Sequence, residues 1–353
     1  MIALYVGSNV GYSGKSLLIL GLGLRLKQEG IKIGYIKPFG NIPVKEGRDV
    51  IDADAKFMKE ALGIDDPATD MSPVVLTFDL HKRALKGEIK GTRGKVIKAF
   101  RSVKKGKDIV FVGGALNLYD GAFLGISGPS IINAFNARLI MVEPYRAESS
   151  IDSLLESKEL LKDRLLGGVI NKIPAAAVRS VKDEFIPFLK RKGIPVFGAI
   201  PKDSLLDAIT VRQLNEVVSG RVLCSEEHMD EFIEGFLIGA MDVDSAIKYF
   251  RKVANKAVIT GGHRADIQLA AMETSTRCLV LTGGMLPNDV IIGKARLMGI
   301  PIISVKEDTF SIVERIESVL GKIRIREEKK VKRAAELIEG FFDYRAFRKA
   351  IGI

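Results

Sequence analysis

Short apolar runs recur through the first 200 positions, each followed by a longer stretch with helical periodicity. The runs Ile2–Val6, Lys32–Ile36, Asp108–Val112, Ala137–Val142, Leu166–Ile170 and Pro195–Ala199 predict strands. Lys15–Glu29, Ala53–Leu62, Lys90–Lys104, Ser149–Arg164 and Ala177–Lys192 predict helices. Strands alternating with helices imply a mostly parallel sheet, covered on both faces and joined by right-handed crossovers. The pattern restarts near Pro201–Thr210. Strands are then expected at Arg221–Cys224, Phe236–Gly239, Ala257–Thr260, Cys278–Leu281 and Pro301–Ser304, with helices at Val243–Val253, Asp266–Glu273, Asp289–Gly299 and Thr309–Leu320. Glu328–Ala350 reads as one charged amphipathic helix. The expected division is 1–205, 206–320 and a C-terminal helical segment 321–353.

Composition agrees with a two-domain α/β protein. The chain has 353 residues, 47% hydrophobic and 27% charged, which suits packed cores and excludes disorder and disulfide scaffolds. The longest N-terminal apolar run, Leu17–Leu24, stops at Arg25, so no spanning helix and no membrane partner is expected. The start, Met-Ile-Ala-Leu-Tyr-Val, reads as a strand and not a signal peptide. Cys224 and Cys278 lie in apolar contexts, as free thiols of a reducing compartment do, and a cytoplasmic location is expected.

The formal net charge of +11 is uneven. Lys82–Lys107 holds eleven basic residues against Glu88 alone, net +10, and Lys322–Arg333 carries net +5. Such runs attract anions or form a solvated helix face. Phe100 is the only aromatic residue in the first run, so a stacking platform for nucleic acid is lacking and a nucleic-acid partner is not expected.

The strongest chemical signal is Gly7-Ser-Asn-Val-Gly11-Tyr12-Ser13-Gly14-Lys15-Ser16, between the first strand and the first helix. That context defines a phosphate loop: backbone N–H groups curl around phosphate oxygens, the helix N-terminus faces the anion, Lys15 neutralises it and the Ser16 hydroxyl suits Mg²⁺. The frame G-x-x-x-x-G-K-[ST] wants a first glycine at position 9, where Asn9 stands. A plain glycine-rich turn is the competing reading. Lys37 ends the second strand, on the side where a parallel sheet faces its ligand. Of Asp52 and Asp54, one suits a helix cap and the other a place near Mg²⁺. Asn171 ends another strand, within reach of a base edge.

Gly14-Lys15-Ser16, Tyr35-Ile-Lys37-Pro38 and Asp52-Ala-Asp54-Ala55 together resemble the dethiobiotin synthetase branch of P-loop proteins. They are most similar to the dethiobiotin-synthetase-like N-terminal region of long bacterial phosphotransacetylases. Residues 207 to about 317 resemble the DRTGG domain that follows it there, through Ser219-Gly-Arg221-Val, Gly239-Ala-Met241, Ile259-Thr-Gly-Gly262-His-Arg264-Ala-Asp266, Leu281-Thr-Gly-Gly284 and Glu307-Asp308-Thr309. The resemblance implies ATP and Mg²⁺ as cofactors. Gly11, Tyr12, Ser13, Gly14, Lys15 and Ser16 would surround the nucleotide phosphates, with Asn171 at the base. Ser16 and Asp54 would hold the metal. Lys15 and Lys37 would be the catalytic pair of an enzyme. Two positions depart from the family. Its third strand ends Val-Glu-Gly, where this chain reads Phe111-Val112-Gly113-Gly114, so Gly113 replaces a metal-shell Glu. Gly11 replaces the loop threonine that assists the synthetase reaction. Asp120 is a candidate substitute for the lost carboxylate, and Asp108, at the far end of its strand, is not.

In the second domain, Thr260, Gly261, Gly262 and Arg264 suit a small anionic ligand, or equally a tight turn at a strand end. DRTGG domains are mostly regulatory modules that pair with themselves, which implies a homodimer. The phosphotransacetylase catalytic domain is not in this sequence, so acetyl transfer is not expected. Three functions are weighed, the third being a nucleic-acid-associated module that would use Lys82–Lys107. One is a nucleotide-binding regulatory or ligand-sensing protein with slow or no hydrolysis. A second is an ATP-dependent ligase acting on a small carboxylate or amine, which Gly11 and Gly113 oppose.

Overall fold

The computed structural model describes residues 1–319 and 325–353. The expected helix end at Leu320, the boundary at 320/321, and Lys322 and Arg324 of the second basic run lie outside the described residues. The chain forms two compact units. One comprises Met1–Lys202 with the C-terminal helices, and the other comprises the elements between them.

The first unit contains β1 (Ile2–Gly7), α1 (Lys15–Gln28), β2 (Ile33–Ile36), a hairpin of β3 (Pro43–Glu46) and β4 (Asp49–Asp52), α2 (Ala53–Ala61), α3 (Ala68–Met71), α4 (Phe78–Leu85), α5 (Thr92–Val103), β5 (Ile109–Gly113), α6 (Gly128–Phe135), β6 (Arg138–Pro144), α7 (Glu148–Leu161), β7 (Leu165–Ile173), α8 (Val178–Ser180), α9 (Ile186–Arg191) and β8 (Val196–Pro201). Six strands form one parallel sheet in the order β2-β5-β1-β6-β7-β8. The register sets Val6 beside Gly113, Gly7 beside Met141 and Pro144 beside Asn171, so these strand ends share one edge. Asp108 lies at the opposite end, where its carboxylate accepts from the Lys32 N–H at 2.9 Å.

Sequence expectation and structure differ in places with clear causes. The helix expected at Ala177–Lys192 is split into α8 and α9 by a π turn at Val181–Phe185. Pro187 lacks the N–H that an unbroken helix needs. The helix expected at Ser149–Arg164 ends at Leu161 and passes into a 3₁₀ turn, with Lys162 at φ 47°. The hairpin β3–β4 and helices α3, α4 and α6 were not anticipated, being short and without a long apolar period. The basic segment spans α4 and α5. Helix α5 buries Val96, Ala99, Phe100 and Val103 and turns Arg93, Lys95, Lys98 and Arg101 outward, as a solvated face does.

The C-terminal stretch is two helices, not one: α16 (Glu328–Phe341) and α17 (Tyr344–Ile351), following the second unit's helices named below. Phe342 is extended and bridges Gly198 of β8, and the Asp343 carboxylate caps α17 on the Ala346 N–H at 2.8 Å. Phe197, Phe342 and Phe347 pack ring to ring. Tyr344 donates to Glu29 at 2.9 Å, and the Arg25 guanidinium covers its ring at 4.0 Å. This explains why α1 is apolar on so many sides: Leu18, Leu20 and Leu22 are all fully buried, because α16 covers α1.

The second unit contains β9 (Ile209–Thr210), β10 (Arg221–Cys224), β11 (Phe232–Ile233), β12 (Gly235–Ile238), β13 (Lys256–Gly261), β14 (Thr276–Thr282) and β15 (Ile302–Ser304). Its helices are α10 (Ser204–Asp207), α11 (Val211–Val218), α12 (Val243–Phe250), α13 (Ala265–Met272), α14 (Asp289–Leu297) and α15 (Thr309–Val319). The main sheet runs β10-β15-β14-β13-β12, parallel except for β10. Alternation divides its two faces: Ala257, Ile259, Cys278 and Val280 meet α11 and α15, while Val258, Leu279 and Leu281 meet α12, α13 and α14. Cys224 and Cys278 are free and buried. Helix α11, not anticipated, starts at a capping box between Thr210 and Gln213. Among the described residues, no helix is long and apolar enough to cross a membrane.

The α1–α16 contact gives a test. A Cβ at Gly21 would lie 2.4 Å from Ile338 Cγ1. Gly21→Ala is expected to lose about 1–2 kcal/mol in urea unfolding, overpacking outweighing the gain in helix propensity. Adding Ile338→Ala should recover part of that loss, and strictly additive effects would contradict the contact.

Candidate functional site

Between the end of β1 and the start of α1, residues Ser8–Gly14 curl over the sheet edge. The loop is fastened at both arms. On the first arm, the buried Glu143 carboxylate, at the end of β6, accepts from the Asn9 N–H at 2.8 Å and the Ser8 hydroxyl at 3.2 Å. Ser8 Oγ in turn accepts from the Val10 N–H at 3.1 Å. The Asn9 amide donates to Ser153 Oγ on α7 at 2.8 Å. The place where the motif frame wants glycine is therefore occupied by a side chain that anchors the loop. On the second arm, Asn171 at the end of β7 donates to the Ser13 carbonyl at 2.8 Å. Gly14 has φ 103°, and a Cβ there would lie 2.0 Å from Asn171 Nδ2, so conformation and space both demand glycine. Tyr12 is also left-handed, at φ 56°. Gly11 faces Leu116, with 3.3 Å between a built Cβ and Leu116 Cδ2.

Lys15 opens α1 beside Ser16. Its amine donates to the Leu116 carbonyl at 3.1 Å and reaches the Val10 carbonyl at 3.5 Å. Burial, then repulsion from Lys37, lowers its pKa to about 8 against weaker pulls from Glu143, Asp54 and Asp120. Lys37 follows β2 and is buried. Its amine contacts Asp54 Oδ2 at 2.6 Å and Asp52 Oδ1 at 3.0 Å. Asp52 is the helix cap: its carboxylate accepts from the N–H groups of Asn41, Ile42, Asp54 and Ala55. Asp54 is the partly exposed member of the pair. Asp120 accepts from both the backbone and the side-chain amide of Asn117, at 3.0 and 2.7 Å. Gly113 lies under Tyr35, whose hydroxyl would sit 2.4 Å from a Cβ built there.

The structure thus brings Gly11–Ser16, Lys15, Lys37, Asp54 and Asn171 to one sheet edge. Asn171 holds the loop through the Ser13 carbonyl. Glu143, Asn9 and Tyr35 were missed. The signal for Glu143 was a single carboxylate closing the apolar run Arg138–Val142, read only as a strand.

The second unit gives the other candidates a structural role. Thr260 donates to the Gly239 carbonyl at 3.0 Å, and Gln268 donates to the carbonyls of both Gly261 and Gly262 at 3.1 Å. The N–H groups of Gly262, Gly283 and Gly284 donate to Thr282, Glu307 and Val305 carbonyls. Arg264 is forked onto Asp266 at 3.0 and 2.9 Å and also reaches the Met241 carbonyl. Each of these donors has an internal partner in this structure, which stitches the turn together.

A parallel sheet, a glycine loop fastened across three strand ends and a lysine opening the following helix define a P-loop domain. The chain belongs to the AAA domain family, whose model matches residues 3–210, and a DRTGG domain matches residues 213–319. It is 24% identical over 363 residues to a phosphate acetyltransferase of Nitratidesulfovibrio vulgaris and 20% identical over 366 residues to one of Pseudomonas aeruginosa. Each alignment covers 96% of this chain and 50% of the relative. The chain spans about half the length of these curated relatives. Among solved structures, it is similar to cobyrinic acid a,c-diamide synthase of Mycobacterium smegmatis with bound ADP and magnesium, at 15% identity and a TM-score of 0.37, covering 57% of this chain and 87% of that one. The CBS and DRTGG domains of the regulatory region of Clostridium perfringens pyrophosphatase, complexed with the activator diadenosine tetraphosphate, align at 17% identity and a TM-score of 0.30, covering 46% and 78%.

The anchoring role of Glu143 is testable. Glu143→Ala leaves the Asn9 N–H and Ser8 hydroxyl without their acceptor and should cost about 2–3 kcal/mol, with Glu143→Gln costing less. Urea unfolding measures both, and a loss under about 0.5 kcal/mol for the alanine variant would contradict the anchor.

Proposed function

We propose that the first unit binds ATP at Gly11–Ser16 and that the protein is a nucleotide-binding regulator or ligand sensor, with slow or no hydrolysis. The observation carrying this reading is the half-buried Lys15 amine at the head of α1, beside a loop that three strand ends hold in place. Lys15 is satisfied only by carbonyl oxygens at 3.1 and 3.5 Å, partners that a phosphate surpasses. The α1 N-terminus adds its dipole to the same point. Tyr12, Ser13, Gly14 and Ser16 would contact the phosphates. The DRTGG domain of the Clostridium perfringens pyrophosphatase belongs to a regulatory region, which supports a sensing role for the second unit here.

The ligase reading is the weaker one. It requires the Lys37 amine for a substrate, whereas that amine is engaged by Asp52 and Asp54. A homodimer is supported by α14, which exposes Val290 and Leu297, the latter 91% accessible. The free buried thiols suit a reducing, cytoplasmic setting.

Lys15→Ala is expected to weaken ATP binding by at least about 100-fold in calorimetry, the loss of a charge-assisted contact in a buried site. Equal affinity in the variant would defeat the assignment. With ATP, the purified chain should release phosphate far below about 10 per second, an ordinary enzyme rate. Release at that rate would favour the ligase or another enzyme.

A further inference from the structure

We propose that the first unit carries a second binding site, at the sheet edge opposite the phosphate loop, for a phosphate monoester with an apolar body. Its centre is the Arg138 guanidinium. The site does not depend on the nucleotide reading above.

Arg138 opens β6, and the register sets it beside Leu4 of β1. Glu143, which fastens the loop, lies near the other end of the same strand, roughly 16 Å away along it. Around Arg138 lies a cleft of about 930 Å³, within the size range of small-molecule sites. Three further cations line it: Lys158 on α7, Lys162 in the 3₁₀ turn after α7, and Lys192 in the turn before β8. The acidic residues lining it are Glu159 and Asp163. Among the described residues, none of the four cations is ion-paired to either carboxylate.

Cations also gather at helix C-termini, where they answer the partial negative charge of the last carbonyls. Lys158 does so: its amine donates to the carbonyls of Lys192 and Gly193, just past α9. Arg138 does not. It stands on a strand, half-buried, and its Nε is buried without a hydrogen-bond partner. A buried donor left unsatisfied is costly, and a ligand oxygen removes that cost. The guanidinium edge that carries Nε pairs in a fork with phosphate or carboxylate oxygens. Two features select a phosphate monoester. Four cations against two carboxylates match its near-double negative charge at neutral pH, whereas a monocarboxylate brings half of that. Leu155, Leu165 and Pro195 also line the cleft and offer apolar wall to an organic body, which inorganic phosphate lacks.

The test is calorimetric titration of phenyl phosphate, inorganic phosphate and benzoate into the full chain, without nucleotide. Phenyl phosphate should bind with a Kd below about 1 mM, and the other two at least about tenfold more weakly. Arg138→Gln should weaken phenyl phosphate by about tenfold or more, the loss of a charge-assisted fork. Lys192→Gln, at an exposed position that the fold does not need, should weaken it by about threefold. Lys15→Ala should leave it within about twofold, because the phosphate loop lies at the other edge. The Lys192→Gln result decides the matter if Arg138→Gln fails to fold. Absence of phenyl phosphate binding at about 10 mM, or unchanged affinity in both cleft variants, would overturn the proposal. So would a loss confined to Lys15→Ala, which would put the ligand on the phosphate loop. Inorganic phosphate or benzoate binding as tightly as phenyl phosphate would overturn the assigned ligand class.

Discussion

The buried Glu143 carboxylate is the contact on which the site depends. It closes β6 next to β1 and holds the Asn9 N–H and the Ser8 hydroxyl, so the loop leaves the sheet in one fixed direction. A buried carboxylate is costly unless hydrogen-bonded, and this one is satisfied by the loop through one oxygen and by the Arg146 guanidinium, at 3.4 Å, through the other. The parallel register supplies the rest. It places the ends of β1, β2, β5, β6 and β7 along one edge, where Lys37, Gly113, Glu143 and Asn171 surround the start of α1. Gly14 completes the arrangement by yielding its Cβ space to Asn171.

Much of this was legible in the chain itself. The six strands of the first sheet and the five of the second were marked by apolar runs, because parallel strands buried on both faces carry few polar residues. The loop was legible because Gly14-Lys15-Ser16 lies between a strand and a helix. The fastening of the loop was not. Glu143 and Asn9 act through contacts more than 130 residues apart in sequence, and neither belongs to a spaced motif. The break between α16 and α17 was hidden for a similar reason: Phe342 leaves the helix to pair with Gly198, a tertiary contact overriding helical periodicity. In the second unit, composition alone could not separate an anion site from a turn. The Arg264–Asp266 fork and the Gln268 contacts, which stitch that turn, are side-chain geometry that composition does not encode.

The charge of the chain is divided between two tasks. Most of the excess lies in Lys82–Lys107, on the exposed α4, the outer face of α5 and the turns beside them. The functional charge is much smaller: two lysines, one at the head of α1 and one after β2, held apart by carbonyls and carboxylates. Lys37 is paired with Asp52 and Asp54, whereas the Lys15 amine meets carbonyl oxygens of Leu116 and Val10.

The most direct measurement reads the charge on Lys15. Lys15 has its pKa lowered to about 8 by burial and by Lys37, so near that pH a large share of its amine is neutral. A phosphate between the two lysines favours the charged form. Calorimetry of ATP binding at pH 8, in two buffers of different ionisation enthalpy, should therefore report uptake of about half a proton per nucleotide. Binding with no proton exchange, or with proton release, would contradict the placement of the phosphates on Lys15.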